Sequence, residues 1–175
     1  MLVTPSGILK SDLVPADLVR VGLAGEPLGG FRKATSELDL HLRVYADRPD
    51  VGAVVHTHAP TATGFAVAGE GLPGDVLPEL ILLFGRIPLA PYATPGSPGM
   101  GDSIAPFLSG HEGALLANHG AVTWGPDLAT AQIRMESLEH AAKILLAARL
   151  VGRMVRLTPE QVQALARPRG KTGHE

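Results

Sequence analysis

The run Val51-Gly-Ala-Val-Val-His-Thr-His-Ala-Pro60 constrains the fold of this chain more than any other stretch. A valine-rich apolar run that closes with a proline predicts a buried strand. Side chains alternate along a strand, so His56 and His58 are expected on one face and Val55 and Thr57 on the other. Two neighbouring imidazoles at a strand end can bind a metal ion, and histidine is a common nitrogen ligand of zinc. Taken alone, such a pair is more often solvent-facing or hydrogen-bonded, so further ligands must come from elsewhere.

The composition narrows the classes of protein to consider. The 175 residues are 45% hydrophobic and 18% charged, which predicts one globular domain over residues 1–175. The net charge of −2 argues against a nucleic-acid partner. We expect no membrane association and no signal peptide, because apolar runs are short and the start lacks a basic-then-apolar pattern. The chain has no cysteine, which suits the cytoplasm, excludes thiol catalysis and leaves His, Asp or Glu to hold any metal.

Strands and helices mix without strict alternation, which predicts a layered α/β/α domain. Strands are expected at 1–4, 18–21, 51–57, 87–90 and 114–120, with 121–124 following, and the segment 25–30 is expected to be a loop or hairpin. Helices are expected at 34–48, 60–68 and 127–151, and from a Thr158–Gln161 capping box. The apolar segment 77–84 can be a strand or a helix. The charged tail after Arg167 is expected to fray.

Two helices are expected to bury an apolar face. In the first, these positions are Leu38, Leu42 and Tyr45, with His41 nearby in a core or surface role. In the longest, they are Leu128, Ala131, Met135, Leu138, Ala142 and Leu145. Glu136 and His140 lie one turn apart on its side and are expected to pair with each other or with water.

A second histidine follows an apolar run at Ala114-Leu-Leu-Ala-Asn-His-Gly120. His56, His58 and His119 therefore all lie where predicted strands end, which is where ligands often gather in α/β folds. Three nitrogen ligands match an open zinc site with a position left for substrate. Glu37, at the start of the first helix, can reach this site as a fourth ligand or as a base.

Several motifs in fixed order resemble the class II aldolase/adducin family, and its L-fuculose-phosphate aldolase-like members in particular. They are Thr-Pro-Ser-Gly at 4–7, Thr-Ser-Glu at 35–37, Arg-Pro-Asp at 48–50, Val-Val-His-Thr-His at 54–58, Ala-Pro-Tyr-Ala-Thr-Pro-Gly at 90–96 and Asn-His-Gly at 118–120. The resemblance covers residues 2 to about 150. It implies a three-layer α/β/α fold around a central, mainly antiparallel sheet, and a zinc-dependent homotetramer.

By matching positions, the resemblance implies zinc ligands at His56, His58 and His119. Glu37 matches the family's acid/base, which also ligates zinc in the empty enzyme. The implied reaction cleaves a small ketose 1-phosphate, such as L-fuculose 1-phosphate, to dihydroxyacetone phosphate and an aldehyde through a zinc-stabilised enediolate. Glu37 moves the proton at the carbon next to the carbonyl, and its pKa is expected to be raised once it leaves zinc for a dry pocket.

The resemblance also implies a phosphate site formed by Ser6 and Gly7 together with Thr35 and Ser36. Hydroxyls and backbone N–H groups at a glycine turn and at a helix start are suitable phosphate donors. Compared with the family, the chain is expected to lack an N-terminal helix and a Gly-Asn-x-Ser-type loop that contributes to this site. Either the start has been lost, or the phosphate site is incomplete, or the substrate differs.

Fuculose-phosphate aldolase handles the aldehyde with tyrosines from the segment near Glu79 and from the C-terminal tail. This chain has only Tyr45 and Tyr92, and neither matches those positions. Tyr92 is expected to pack near the site, and Glu79 either fills the vacated space or is a surface carboxylate. The identity of the sugar therefore stays open.

Four alternatives to the aldolase differ in what they require of the site. A metal-dependent epimerase, dehydratase or decarboxylase of a related sugar phosphate would keep the same site. A non-catalytic, adducin-like interaction domain should have lost metal ligands that this chain keeps. A non-haem iron oxygenase needs only two histidines and a carboxylate, so the third histidine and the phosphate-type turns argue against it. Incidental histidines in a globular domain are hard to reconcile with the ordered motifs.

Overall fold

The computed structural model describes residues 1–166. Its strands are β1 (Leu2–Val3), β2 (Val19–Val21), β3 (Pro27–Gly29), β4 (Ala53–Thr57), β5 (Leu89–Ala90), β6 (Gly113–Leu116) and β7 (Gly120–Gly125). Its α-helices are α1 (Leu38–Asp47), α2 (Pro60–Val67), α3 (Pro78–Phe84), α4 (Gly99–Ile104), α5 (Leu128–Val151) and α6 (Pro159–Ala166). Short 3₁₀ turns lie at Lys10–Asp12, Pro15–Asp17 and Ala105–Phe107.

The central sheet has four strands in the order β4-β7-β6-β5. β4 and β6 both pair antiparallel with β7, and β5 pairs parallel with β6. This confirms the mainly antiparallel sheet. β4 lies at one edge, and its register sets His56 opposite Val122.

Each face of this sheet carries its own apolar core, which confirms the three layers. On β6, Ala114 and Leu116 join one core while Leu115 joins the other, as the alternation of a strand requires. Helices α1 and α4 cover the first face, where Trp124 is fully buried. Helices α2, α3 and α5 cover the second face. Helices packed on both faces of the sheet therefore hold β4 and the β6–β7 hairpin in place.

A second, three-stranded sheet forms in the order β1-β2-β3, with antiparallel pairs. Val3, Val19 and Val21 bury its inner face. The expected loop after β2 is therefore a hairpin, since Pro27–Gly29 pairs back onto β2.

The first helix begins at Leu38, four residues later than expected. Ala34 and Thr35 instead pair with the segment around Pro5: Pro5 and Ala34 form an antiparallel bridge, and the N–H of Thr35 donates to the carbonyl of Thr4 at 3.0 Å. This backbone pairing occupies groups that a longer helix would need. The expected inward face was also wrong in detail. Leu40 and Val44 are fully buried, whereas Leu38, Leu42 and Tyr45 are half-buried.

The long helix matches its expected span and most of its expected core face. Its apolar stripe is buried except for Leu128, which is 64% exposed in the first turn. Among residues 1–166, Glu136 accepts from the side-chain amide of Gln132 at 3.0 Å rather than pairing with His140, and the expected alternative of pairing with water stays a prediction.

The remaining expectations concern local elements. The ambiguous segment is helical, as α3. The capping box is confirmed, because the N–H of Thr158 donates to Gln161 and the N–H of Gln161 donates to the Thr158 hydroxyl. The tail after Arg167 lies outside the described residues. Among residues 1–166, no helix combines the length and the apolar character needed to cross a membrane.

Candidate metal centre

His56 and His58 lie at the end of the edge strand β4. His56 is within the strand, and its ring Nδ1 lies 2.9 Å from the backbone carbonyl oxygen of Ala121 on β7. His58 comes immediately after Thr57, the last residue of the strand. The two ring centroids are 5.3 Å apart, so the expected placement on one face brings the imidazoles together.

His119 comes from the tight turn between β6 and β7 rather than from a strand itself. Its N–H donates to the carbonyl of Leu116 at 3.0 Å, and Asn118 before it has a left-handed backbone with φ of 57°. Asparagine tolerates this conformation better than most residues do. Gly120 follows because a Cβ there would lie 2.6 Å from the carbonyl oxygen of Thr57. The small residue lets the hairpin bring His119 close to His58.

Glu37 immediately precedes α1 and directs its carboxylate at two of the rings. Oε2 lies 2.7 Å from Nε2 of His56, and Oε1 lies 2.9 Å from Nε2 of His119. Its own N–H donates to the Thr35 hydroxyl at 3.3 Å, and its side chain makes no helix-capping hydrogen bond. The carboxylate is therefore available to the histidines.

The four side chains form a cluster that could bind a metal ion, with their ligand atoms all within 4.8 Å of one another. A carbonyl oxygen only accepts, so Nδ1 of His56 carries a proton, and in a neutral ring Nε2 presents its lone pair. Nε2 is buried and has no hydrogen-bond partner within residues 1–166, although it faces the Glu37 carboxylate. A lone pair and a carboxylate at 2.7 Å attract each other only if a proton or a cation lies between them. The donor set therefore fits a metal ion.

The protonation of these groups suits cation binding. Close polar contact with His56 lowers the pKa of Glu37 to about 2 against the opposing effect of burial, so the carboxylate is charged at neutral pH. The raised pKa expected once the carboxylate leaves zinc concerns a different state of Glu37 and stays a prediction. Burial lowers the pKa of His119, which favours the neutral, metal-binding ring.

His41 lies one helical turn after Glu37 and is not part of the cluster, in agreement with the expected core or surface role. Burial, followed by the charge of His56, lowers its pKa to about 4. It is therefore an uncharged imidazole beside the site at neutral pH.

The segments expected to bind phosphate lie next to each other. The Pro5–Ala34 bridge and the bond from the N–H of Ser6 to the carbonyl of Lys33 (3.1 Å) set residues 4–6 antiparallel to residues 33–35. Gly7 has a φ of 73° and is exposed. Ser36 is also exposed, and it immediately precedes Glu37 in the sequence. The antiparallel register carries Ser6 and Gly7 to one side of the bridge and Thr35 and Ser36 to the other, where Glu37 follows. A shared phosphate site on this rim of residues 5–7 and 33–36 therefore stays a prediction.

Lys10 is a cation at this rim that the sequence analysis missed. Its Nζ donates to the carbonyl of Pro5 at 3.1 Å, which leaves two of its three N–H donors for other partners. Its charge also lowers the pKa of His41. The available signal was a lysine three residues after the Thr-Pro-Ser-Gly turn, at the start of a helical turn.

Two residues considered as replacements for the missing tyrosines differ in placement. Tyr92 is 60% exposed in the surface segment from Pro91 to Thr94, and its expected packing near the site stays a prediction. Glu79 is an exposed carboxylate that lines a cavity of about 890 Å³ with Ala59, Glu136 and His140. This cavity borders the residue that follows His58, not the ligand cluster.

Comparison with known proteins gives this geometry a family. The family model described as "Class II Aldolase and Adducin N-terminal domain" matches residues 1–146. A 3-oxo-tetronate 4-phosphate decarboxylase from Pectobacterium atrosepticum is 34% identical over 150 residues, which are 83% of this chain and 68% of that protein. A 5-deoxy-D-ribulose 1-phosphate aldolase from Bacillus thuringiensis is 34% identical over 94% of this chain and 77% of that protein.

Solved structures agree with the sequence comparisons. An L-fuculose 1-phosphate aldolase matches with a TM-score of 0.88 and 32% identity, over 95% of this chain and 78% of that chain. The L-fuculose-1-phosphate aldolase of Thermus thermophilus matches with a TM-score of 0.77 and 29% identity, over 88% of this chain and 82% of that one. The similar proteins are enzymes of aldolase and decarboxylase type. The chain therefore belongs to the class II aldolase/adducin family and is L-fuculose-phosphate aldolase-like.

Proposed function

We propose that the protein is a class II aldehyde-lyase that cleaves a small ketose 1-phosphate, such as L-fuculose 1-phosphate, to dihydroxyacetone phosphate and an aldehyde. The observation that carries the proposal is the buried Nε2 of His56 facing the Glu37 carboxylate inside a cluster of three histidines. We propose Zn²⁺ as the ion, one per subunit, because three imidazoles and one carboxylate without a thiolate suit it.

The proposed centre combines rigidly held histidines, which would bind the ion, with a movable carboxylate, which would transfer the proton. His56, His58 and His119 would hold the ion, with His56 fixed by the β4–β7 ladder and His119 by its hairpin turn. When bound, a divalent cation supplies positive charge that stabilises the negative charge developing on substrate oxygens as the carbon–carbon bond breaks.

Glu37 is the proposed acid/base. Its side chain makes no helix-capping hydrogen bond, so rotation about the side-chain bonds can move one carboxylate oxygen away from the histidines without unwinding α1. In the cleavage direction, a proton must reach the carbon next to the substrate carbonyl, and in the reverse direction the same proton must be removed. A carboxylate placed between two imidazoles can take and return this proton.

The rim of residues 5–7 and 33–36 is proposed to bind the substrate phosphate. Its donors would be the hydroxyls of Ser6, Thr35 and Ser36 and the N–H of Gly7, with the ammonium of Lys10 adding charge. The rim reaches Glu37 through one peptide bond from Ser36. A phosphate held there would place the first carbons of a small sugar near the cluster.

A decarboxylase of a related sugar-acid phosphate is the second candidate, and the tyrosines favour it. Breaking an aldol needs a base for the hydroxyl on the aldehyde half, whereas loss of CO₂ needs none. Tyr45 is half-buried against the core and Tyr92 faces solvent. Relatives named 3-oxo-tetronate 4-phosphate decarboxylase are consistent with this outcome. An adducin-like role without catalysis is disfavoured, because all four potential ligands are present.

We further propose that the protein works in the cytoplasm as a homotetramer. The absence of cysteine and the assembly implied by the family resemblance support this. Exposed apolar side chains on α5, such as Ile133 and Leu150, are available for subunit contacts.

The test is exchange of deuterium from solvent into dihydroxyacetone phosphate, followed by NMR with zinc-loaded protein. Exchange at one of the two hydrogens, abolished in Glu37→Gln and kept in Glu136→Gln, is the expected result. The decarboxylase candidate is tested in parallel by CO₂ release from 3-oxo-tetronate 4-phosphate. CO₂ release without exchange would replace the aldolase by the decarboxylase, and neither signal from zinc-loaded protein would refute both.

A further inference from the structure

The start of α2, two residues after His58, lacks a capping side chain of its own. The residue before the helix is Ala59, which has no polar side chain, and Pro60 has no N–H to satisfy. The N–H of Thr63 donates to the carbonyl of Ala59 at 2.8 Å. The N–H groups of Thr61 and Ala62 therefore need an acceptor from elsewhere.

Glu139, in the middle of α5, supplies it. Its Oε2 accepts from the N–H of Thr61 at 3.1 Å and from the N–H of Ala62 at 2.9 Å, and its Oε1 lies 3.2 Å from the N–H of Thr61. The side chain is only 13% exposed, and Lys143 is 3.6 Å away at the solvent side. A carboxylate that caps another helix ties the two elements at a defined point, because charge-assisted bonds to backbone N–H groups are directional and strong.

This tie matters most for His58. His56 is held by its strand ladder and by the carbonyl of Ala121, and His119 is held by a closed hairpin. His58 lies past the end of β4, and no described residue makes a hydrogen bond to its ring. Its position is set on one side by β4 and on the other by the start of α2.

We propose that Glu139 is a positioning residue that fixes the start of α2 against α5 and so sets His58 within the metal cluster. It contacts neither the cluster nor the proposed substrate rim. The inference rests on the proposed function, since metal binding is what this positioning serves.

The test measures Co²⁺ binding by visible absorption, together with thermal unfolding in chelator. The variants are Glu139→Ala and Glu139→Gln, with Glu136→Gln as a control on the same helix, because Glu136 is exposed and, within the described part of the chain, accepts only from Gln132. Glu139→Ala should weaken Co²⁺ binding on the order of 10-fold and alter the absorption band. Glu139→Gln keeps one acceptor oxygen but loses the charge, so it should weaken Co²⁺ binding less than Glu139→Ala does but measurably, and the control should match the wild type.

The outcomes separate the two proposals. If Glu139→Ala melts at a lower temperature but binds Co²⁺ with wild-type affinity and spectrum well below its melting point, Glu139 serves stability alone and the inference is wrong. If Glu139→Ala does not fold, Glu139→Gln decides: the positioning role requires weaker binding or a shifted band relative to Glu136→Gln, and a variant identical to that control overturns it. A wild-type protein that binds no Co²⁺ refutes the proposed function, and the inference with it.

Discussion

Replacing Glu37 by glutamine should remove most of the stability that a metal ion adds to the fold. Glu37 places its two oxygens 2.7 and 2.9 Å from Nε2 of His56 and of His119, so it is the one charged group among the four potential ligands. Glutamine keeps the size of the side chain and removes the charge. The three histidines stay in place, so the change isolates the carboxylate.

The magnitude follows from linkage. A metal at about 100 times its dissociation constant stabilises the folded state by about 2.7 kcal/mol. For a chain of this size each kcal/mol raises the melting temperature by about 2–4 °C, which gives a rise of about 5–11 °C. Partners outside the ligand shell already contribute about 10–100-fold to affinity, so loss of the charged ligand should cost about 100-fold. The same metal concentration then stabilises Glu37→Gln by only about 0.4 kcal/mol, or about 1–2 °C.

The assay is thermal unfolding followed by circular dichroism, with Zn²⁺ and with chelator. Each variant is compared with its own metal-free form, so a change in the stability of the fold itself cancels. Glu136→Gln should retain the full wild-type rise. An equal rise in Glu37→Gln and the wild type would show that the carboxylate does not face the ion, and the reasoning from His56 would be refuted.

Three further changes test other parts of the structure. Lys10→Met should raise KM for the phosphorylated substrate about 10-fold, which is a loss of about 1.4 kcal/mol of binding free energy, with a smaller effect on kcat. Initial rates that give an unchanged KM would show that Lys10 is not part of the phosphate site. Leu145→Ala should lower the free energy of unfolding in urea by about 2–5 kcal/mol because Leu145 is 2% exposed in the second core, while metal affinity stays at the wild-type value. The pKa of Asp17 is lowered from 3.8 by the N–H of Val14 and then by Arg32, so its stabilising effect is complete above that ordinary value and is lost as the pH falls through the lower folded value. Melting curves of Asp17→Asn and the wild type should therefore differ at neutral pH and converge in acid, and a gap that does not depend on pH would contradict this.

The placement of the three histidines was predictable because it follows from local periodicity and turn signals. Strand alternation alone puts His56 and His58 on one face, and the turn signal of Asn118 and Gly120 marks the hairpin that presents His119. The layers were predictable for the same reason, since the apolar stripe of α5 is a repeating pattern.

The parts that were missed depend on contacts between distant segments. Ala34 begins a plausible helix by propensity, but its pairing with Pro5 keeps it extended. The capping of α2 by Glu139 joins residues 77 and 78 positions apart, and no local pattern reports such a bond. Leu128 fits the apolar period, yet it is 64% exposed in the first turn of the helix.

The edge position of β4 has a consequence for handling the protein. An edge strand exposes unpaired backbone groups and is a common template for pairing between chains. Here the end of β4 carries His56 and His58, and the turn between β6 and β7 carries His119. An ion bound by all three histidines would therefore join the edge strand to the β6–β7 hairpin. Removing the ion would break this link between β4 and the hairpin. The first effect of metal loss should therefore be association of chains through β4 during purification or storage.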